Sequence, residues 1–220
     1  MVTLVSMVWG DYDRFIPAWL GAFAALDDWA DGIIIHGPTI DPTRWFTPNI
    51  TWVPADPFNT EQNGSHLFDQ VVRGISHGWV WPTAIDDFVT PAGITRLQEA
   101  PADAEFMLIT AEHTDGSDRW DSDLRTVLGP ASAYRMVGGC PFTVDLYRRA
   151  GPYANPPGWE ITCEWGFFLR VLAADPVVFD GTGPVSQRNT KNVTGYGRTQ
   201  LNVAEQEQRC REYAAHLGLT

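Results

Sequence analysis

Apolar and polar positions along the chain switch repeatedly between strand-like runs and helical spacing. Val2 to Trp9 is apolar and rich in β-branched residues, which predicts a first strand. Gly10-Asp11-Tyr12-Asp13 then reads as a turn, and apolar residues from Phe15 to Leu26 recur at helical spacing. Ile33-Ile34-Ile35 predicts a short buried strand, Pro38 to Asn49 a loop, and Ile50 to Val53 a third strand. Glu61 to His77 is helical in pattern, with Leu67, Val71, Gly74 and Ile75 on one face and Gly78 as its stop. A strand follows from Trp79, then a helix from Pro91 to about Ala100, and another strand over Glu105 to Ala111. Tyr134 to Val137 is a candidate further strand. Phe142 to Ala150 and Ile161 to Ala174 read as helices, Pro176 to Phe179 as a short strand, and Gly181 to Gly197 as a polar loop. Asn202 to Leu217 closes the chain as a helix.

Strands alternating with helices in the first half predict a parallel sheet with crossover helices. The second half is less regular, so the expectation is an α/β sandwich around a mixed, mainly parallel sheet. No repeat and no Gly/Ser-rich linker divides the chain, and 220 residues suffice for one substantial core. A single domain over residues 1–220 is therefore expected.

Composition narrows the partners. With a net charge of −12 and no run of five like charges, the chain lacks the clustered positive charge of a nucleic-acid footprint. Cys140, Cys163 and Cys210 are odd in number and lack CxxC spacing, so neither a disulfide framework nor a zinc site is expected, and a reducing cytoplasm fits. Asp11 and Asp13 interrupt the first apolar stretch, unlike a signal peptide, and the run from Phe15 to Leu26 is too short to span a bilayer.

The chemistry-bearing stretch is Trp79-Val80-Trp81-Pro82-Thr83-Ala84-Ile85-Asp86-Asp87, an apolar run ending on two aspartates. At the carboxyl end of a strand, such a pair suits a hard divalent cation, which takes one or two carboxylates together with substrate phosphates. The alternative is that Asp86 or Asp87 caps the helix that begins near Pro91.

A second acidic site carries Glu160 and Glu164, four residues apart and so on one face of a helix beginning there. Glu164 can serve as a general base, or it can pair with Arg170 or meet water. Trp159, after Pro156-Pro157-Gly158, has a better claim to a ligand than Trp165, which reads as core. Glu112, His113, Asp115, Asp118, Asp121 and Asp123 form an acidic loop, read as solvated or as an acceptor-binding lip. Arg188, Lys191 and Arg198 bring positive charge to the late loop, which is either a surface loop or one that closes on a diphosphate.

Taken in order, these motifs resemble the GT-A glycosyltransferases of the family 2 type, over roughly residues 2–180. The carriers are the Val5-Ser6-Met7-Val8-Trp9-Gly10-Asp11-Tyr12-Asp13 turn and Ala84-Ile85-Asp86-Asp87-Phe88-Val89-Thr90-Pro91 at the Asp-x-Asp position. Gly138-Gly139-Cys140-Pro141-Phe142 before a helix and Cys163-Glu164-Trp165-Gly166-Phe167-Phe168-Leu169-Arg170 at the Glu-Asp-Trp-x-x-x-x-Arg position complete them. The resemblance implies a GT-A-like, Rossmann-like single domain: a nucleotide-sugar and metal half (1–100), an acceptor and base half (101–180), and a loop with a C-terminal helix (181–220).

It also implies an inverting transferase that moves a sugar from a nucleotide-diphosphate donor to the hydroxyl of a glycan, protein or lipid-linked acceptor. In that reading Asp86 and Asp87 bind Mn2+ or Mg2+, and Glu164 is the catalytic base. Asp11, Tyr12, Arg73, Asp87, Trp159, Arg188 and Lys191 contact donor or sugar. Four departures stand out: Ala84 replaces the first Asp of Asp-x-Asp, His36 or Thr39 occupies the place of the usual base-binding Asp, Val71-Val72 replaces an Arg-Asn pair, and Glu164 replaces the catalytic Asp of the Glu-Asp motif. They leave open an alternative, a GT-A-shaped carbohydrate- or nucleotide-binding protein without transfer.

Overall fold

The computed structural model of the chain describes residues 1–26, 28–45, 47–55, 64–113, 119–121, 139–159, 161, 163–188 and 203–219. Lys191, the Tyr134–Val137 segment and most of the acidic loop after residue 113 lie outside the described residues.

The first half builds β1 (Val2–Val8), α1 (Ile16–Ala24), β2 (Ala30–His36), β3 (Ile50–Pro54), α2 (Gly64–Gly74) and β4 (Trp79–Ala84). After β4 come β5 (Asp87–Val89), α3 (Pro91–Gln98), β6 (Phe106–His113) and β7 (Arg119–Asp121). The chain continues through β8 (Phe142–Thr143), α4 (Val144–Ala150), α5 (Cys163–Ala173), β9 (Val178–Arg188) and α6 (Val203–His216). All nine strands join one sheet in the order β3-β2-β1-β4-β8-β6-β9-β5, with β7 on β6. The long pairings β1–β2, β1–β4, β2–β3 and β6–β9 are parallel, while the short strands pair antiparallel. This is the mixed, mainly parallel sheet that the alternating pattern predicts.

The core forms because the parallel strands are apolar on both faces. Val5, Ile34, Val80, Trp81 and Phe106 are almost wholly buried beneath helices. Helix α1 adds Ile16, Trp19 and Phe23, and α2 adds Leu67, Phe68 and Val72, each large side chain contributing roughly 1.5–3 kcal/mol by burial. Trp19 also donates its indole N–H to Thr83 Oγ1 at 3.2 Å, pinning α1 to the end of β4. Among the described residues no helix is long and apolar enough to cross a membrane.

Two expectations are corrected. Gly181 to Arg188 is strand rather than loop: β9 pairs in parallel with β6 and antiparallel with β5. Its Gly and Pro residues read as punctuation, but Gly181 is there because a Cβ would lie 2.6 Å from Met107 of the neighbouring strand. Phe142 and Thr143 are not helical either. Phe142 pairs with Val80 and Phe106 in the sheet, and Thr143 caps α4 by accepting the Leu146 amide at 3.1 Å.

Candidate active site

Sheet order places the site. The chain moves outward from β1 through β2 to β3, then returns to the other side of β1 to form β4. The carboxyl ends of β1 and β4 therefore flank a topological switch point, where a crevice opens for ligands. Beyond β1 runs the tight 3-10 turn Gly10–Phe15, and beyond β4 comes the turn holding Ile85 and Asp86.

Along this second turn, Ala84 is exposed, Ile85 is buried in the core, and Asp86 is half-buried. Ala84 is thus the exposed last residue of β4, the position to which the resemblance assigns the first acid of Asp-x-Asp. The helix-cap alternative for the aspartates is set aside by Thr90. Its Oγ1 accepts the Gly93 amide at 3.2 Å as the N-cap of α3, with Pro91 next in line. One or two carboxylates fit a hard divalent ion that completes its shell with substrate phosphate and water. Among the described residues no group of three His, Cys, Asp or Glu side chains converges to make a full protein cage.

On the β1 side, Gly10 adopts φ +58° and starts the turn. Asp11 is exposed and meets Arg14 at 3.5 Å, while Tyr12 packs edge-on against Phe15 with ring centroids 5.6 Å apart. At the end of β2, buried His36 directs Nδ1 to the Gly37 carbonyl at 3.0 Å and lies edge-on to Trp52. Trp9 covers Gly37 so closely that a Cβ there would come within 2.8 Å of the indole. Thr39 is exposed. Asp87, in β5, stands opposite Arg188 of β9 in the backbone register.

The second acidic stretch leads into α5. Glu164 is exposed in the first turn of this helix, which precedes β9. Trp159 is half-buried against α6, its ring 4.6 Å from Tyr213 and 5.5 Å from His216. Arg73 lies elsewhere. It is exposed in the last turn of α2, just before β4 begins and at the opposite end of that strand from Asp86.

Sequence reasoning missed Asp69 and underread Arg170. Asp69, buried on α2, accepts the Tyr147 hydroxyl at 2.6 Å, the Tyr153 amide at 2.5 Å and the Ala154 amide at 2.9 Å. Burial, and then the Asp69 carboxylate beside it, push the Tyr147 phenol well above its ordinary range. Arg170, buried on α5, donates to the Pro152, Tyr153 and Ala154 carbonyls, to Asn155 Oδ1, and to the Tyr213 hydroxyl at 3.0 Å. The only sequence signal for Arg170 was its place in the Glu-Asp-Trp-x-x-x-x-Arg pattern. For Asp69 there was none.

No family model and no curated protein sequence matches this chain. Solved structures do. TarS residues 1–349 of S. aureus in complex with UDP-GlcNAc align over 96% of this chain and 71% of theirs, with a TM-score of 0.65 at 11% identity. Against a longer TarS structure the chain spans 42% of the partner's length. A mannosyltransferase from Pyrobaculum calidifontis, in complex with GDP-Man and Mn2+, aligns over 98% of this chain and 73% of its own, with a TM-score of 0.58 at 14% identity. Glucosyl-3-phosphoglycerate synthase from Mycobacterium tuberculosis, with Mn2+, UDP and phosphoglyceric acid, aligns over 96% and 78%, with a TM-score of 0.59 at 13% identity. Strand order, the switch point between β1 and β4, and these likenesses agree: the chain has a divergent GT-A glycosyltransferase fold.

Proposed function

We propose that the chain is an inverting, metal-dependent glycosyltransferase that moves a sugar from a nucleotide-diphosphate donor to an acceptor hydroxyl. The observation that carries the reading is Asp86 at the mouth of the β1–β4 switch point, with α3 capped by Thr90 instead. Asp86, with Asp87, would hold Mn2+ or Mg2+, whose charge stabilises the departing diphosphate. The two manganese-bound neighbours support this choice of ion.

Glu164 accepts the proton of the acceptor hydroxyl as that oxygen bonds to the anomeric carbon. The bond from that carbon to the diphosphate oxygen breaks on the opposite face, so configuration inverts. Asp11 and Tyr12 lie against the nucleotide, and Arg188 and Lys191 meet the phosphates. Trp159 supports the sugar or acceptor, whereas Arg73, at the other end of β4, takes no part in donor binding. Buried free thiols at Cys140 and Cys210 support a reducing, cytoplasmic setting.

Ala84 favours a second reading, a binding protein that holds a nucleotide or carbohydrate without transferring sugar. Incubation with a panel of nucleotide sugars and Mn2+, followed by assay for released nucleoside diphosphate, separates the two. Metal-dependent release supports the transferase. Binding without release, on every donor tried, supports the binding protein.

A further inference from the structure

Residues 152–155 belong to neither helix nor strand, yet their backbone is gripped from both sides by buried charges. Asp69 takes the amides of Tyr153 and Ala154, and Arg170 takes the carbonyls of Pro152, Tyr153 and Ala154. The negative group meets the donors of the segment and the positive group meets its acceptors through both terminal guanidinium nitrogens, while Arg170 Nε is buried without a partner. Asp69 comes from α2, on the metal-strand side. Arg170 comes from α5, the helix that carries Glu164.

The grip is transmitted onward. Asn155 donates Nδ2 to the Ile161 carbonyl at 2.7 Å, closing the loop that bears Trp159. Its Oδ1 sits where a side chain at position 166 would be: a Cβ on Gly166 would lie 1.7 Å from it. Gly166 is two residues from Glu164, so the loop rests directly on the first turns of α5.

We propose that Asp69 and Arg170 are positioning residues, and that by fixing the 152–155 backbone they set where Glu164 stands relative to the donor half. This rests on reading Glu164 as the base. Misplacement by about an ångström can cost on the order of a hundredfold in rate without loss of binding.

Asp69→Asn tests it, because the amide group turns a donor toward at least one backbone N–H that needs an acceptor. Expected are faster hydrogen exchange at the Tyr153 and Ala154 amides, a fall in transfer kcat of roughly 10- to 100-fold, and a donor Kd unchanged within about twofold. Ile34→Val, buried in β2 on the far side of β1 from β4, lowers stability as a control, and its kcat stays near that of the unaltered chain. Should Asp69→Asn fail to fold, Asn155→Ala at its half-buried position supplies the same readout. Loss of exchange protection with unchanged kcat overturns the proposal, as does unchanged protection. An unaltered chain with no transferase activity overturns the base reading and this proposal together. Failure of the positioning alone is distinct, because both chains then transfer at equal rates.

Discussion

Thr90 Oγ1 accepts the Gly93 amide at 3.2 Å, and this bond assigns the cap of α3 to Thr90 rather than to the aspartates before it. The two roles can therefore be separated by mutation. Thr90→Ala should lower stability by about 1 kcal/mol while sparing donor binding. Asp86→Ala should leave the Thr90 cap of α3 in place while removing metal-dependent donor binding. Denaturant unfolding and calorimetry on the two variants check this, and a large stability loss in Asp86→Ala would return the residue to a structural role.

Ala84 is exposed two positions before Asp86, with buried Ile85 between them. Ala84→Asp should therefore add a carboxylate beside Asp86 and Asp87 without disturbing the core. Mn2+ affinity should rise at least about tenfold, worth about 1.4 kcal/mol, and the gain should vanish when Asp86 is also replaced. Titration of Mn2+ into the single and double variants reads both effects.

Gly166 tolerates no side chain while Asn155 stays in place. Gly166→Ala should destabilise by roughly 1–3 kcal/mol through overpacking, and less in an Asn155→Ala background. A double-mutant cycle measured by urea unfolding gives the coupling, and additive losses would mean that the two positions do not touch.

Acid stability has a named contributor. Arg149 holds the Glu105 carboxylate through bonds of 2.5 and 2.8 Å, and this pair, helped by the Val177 amide, lowers the Glu105 pKa from 4.5. The folded state thus binds fewer protons there than the unfolded state. Its stabilisation is present above about pH 4.5 and is lost as pH falls through the lower folded value. Arg149→Met should cost less than about 1 kcal/mol at pH 7, because the pair is partly exposed, and less at pH 3 than at pH 7. Unfolding at the two pH values tests the sign.

Much of this was legible in sequence because it is local. The buried parallel strands are continuous apolar runs, and the aspartates after Trp79–Ala84 follow directly from one of them. Asp69 was not legible: between Phe68 and Gln70 it reads as one more polar helix position, and its partners at 147, 153 and 154 are distant in sequence. Arg170 fell inside a recognised pattern, but its obvious partner was Glu164, not the carbonyls of a loop. The Gly181–Arg188 strand was hidden for the same reason, since only pairing with β5 and β6 makes a Gly- and Pro-containing stretch a strand.

The central claim is that the β1–β4 crevice binds a nucleotide-diphosphate sugar through a metal held by Asp86. Calorimetric titration of UDP- and GDP-sugars into the unaltered chain and Asp86→Ala, each with and without Mn2+, tests it most directly. The account predicts binding by the unaltered chain that requires Mn2+ and is lost in Asp86→Ala. Binding of equal strength with and without metal, or unchanged in Asp86→Ala, would contradict it.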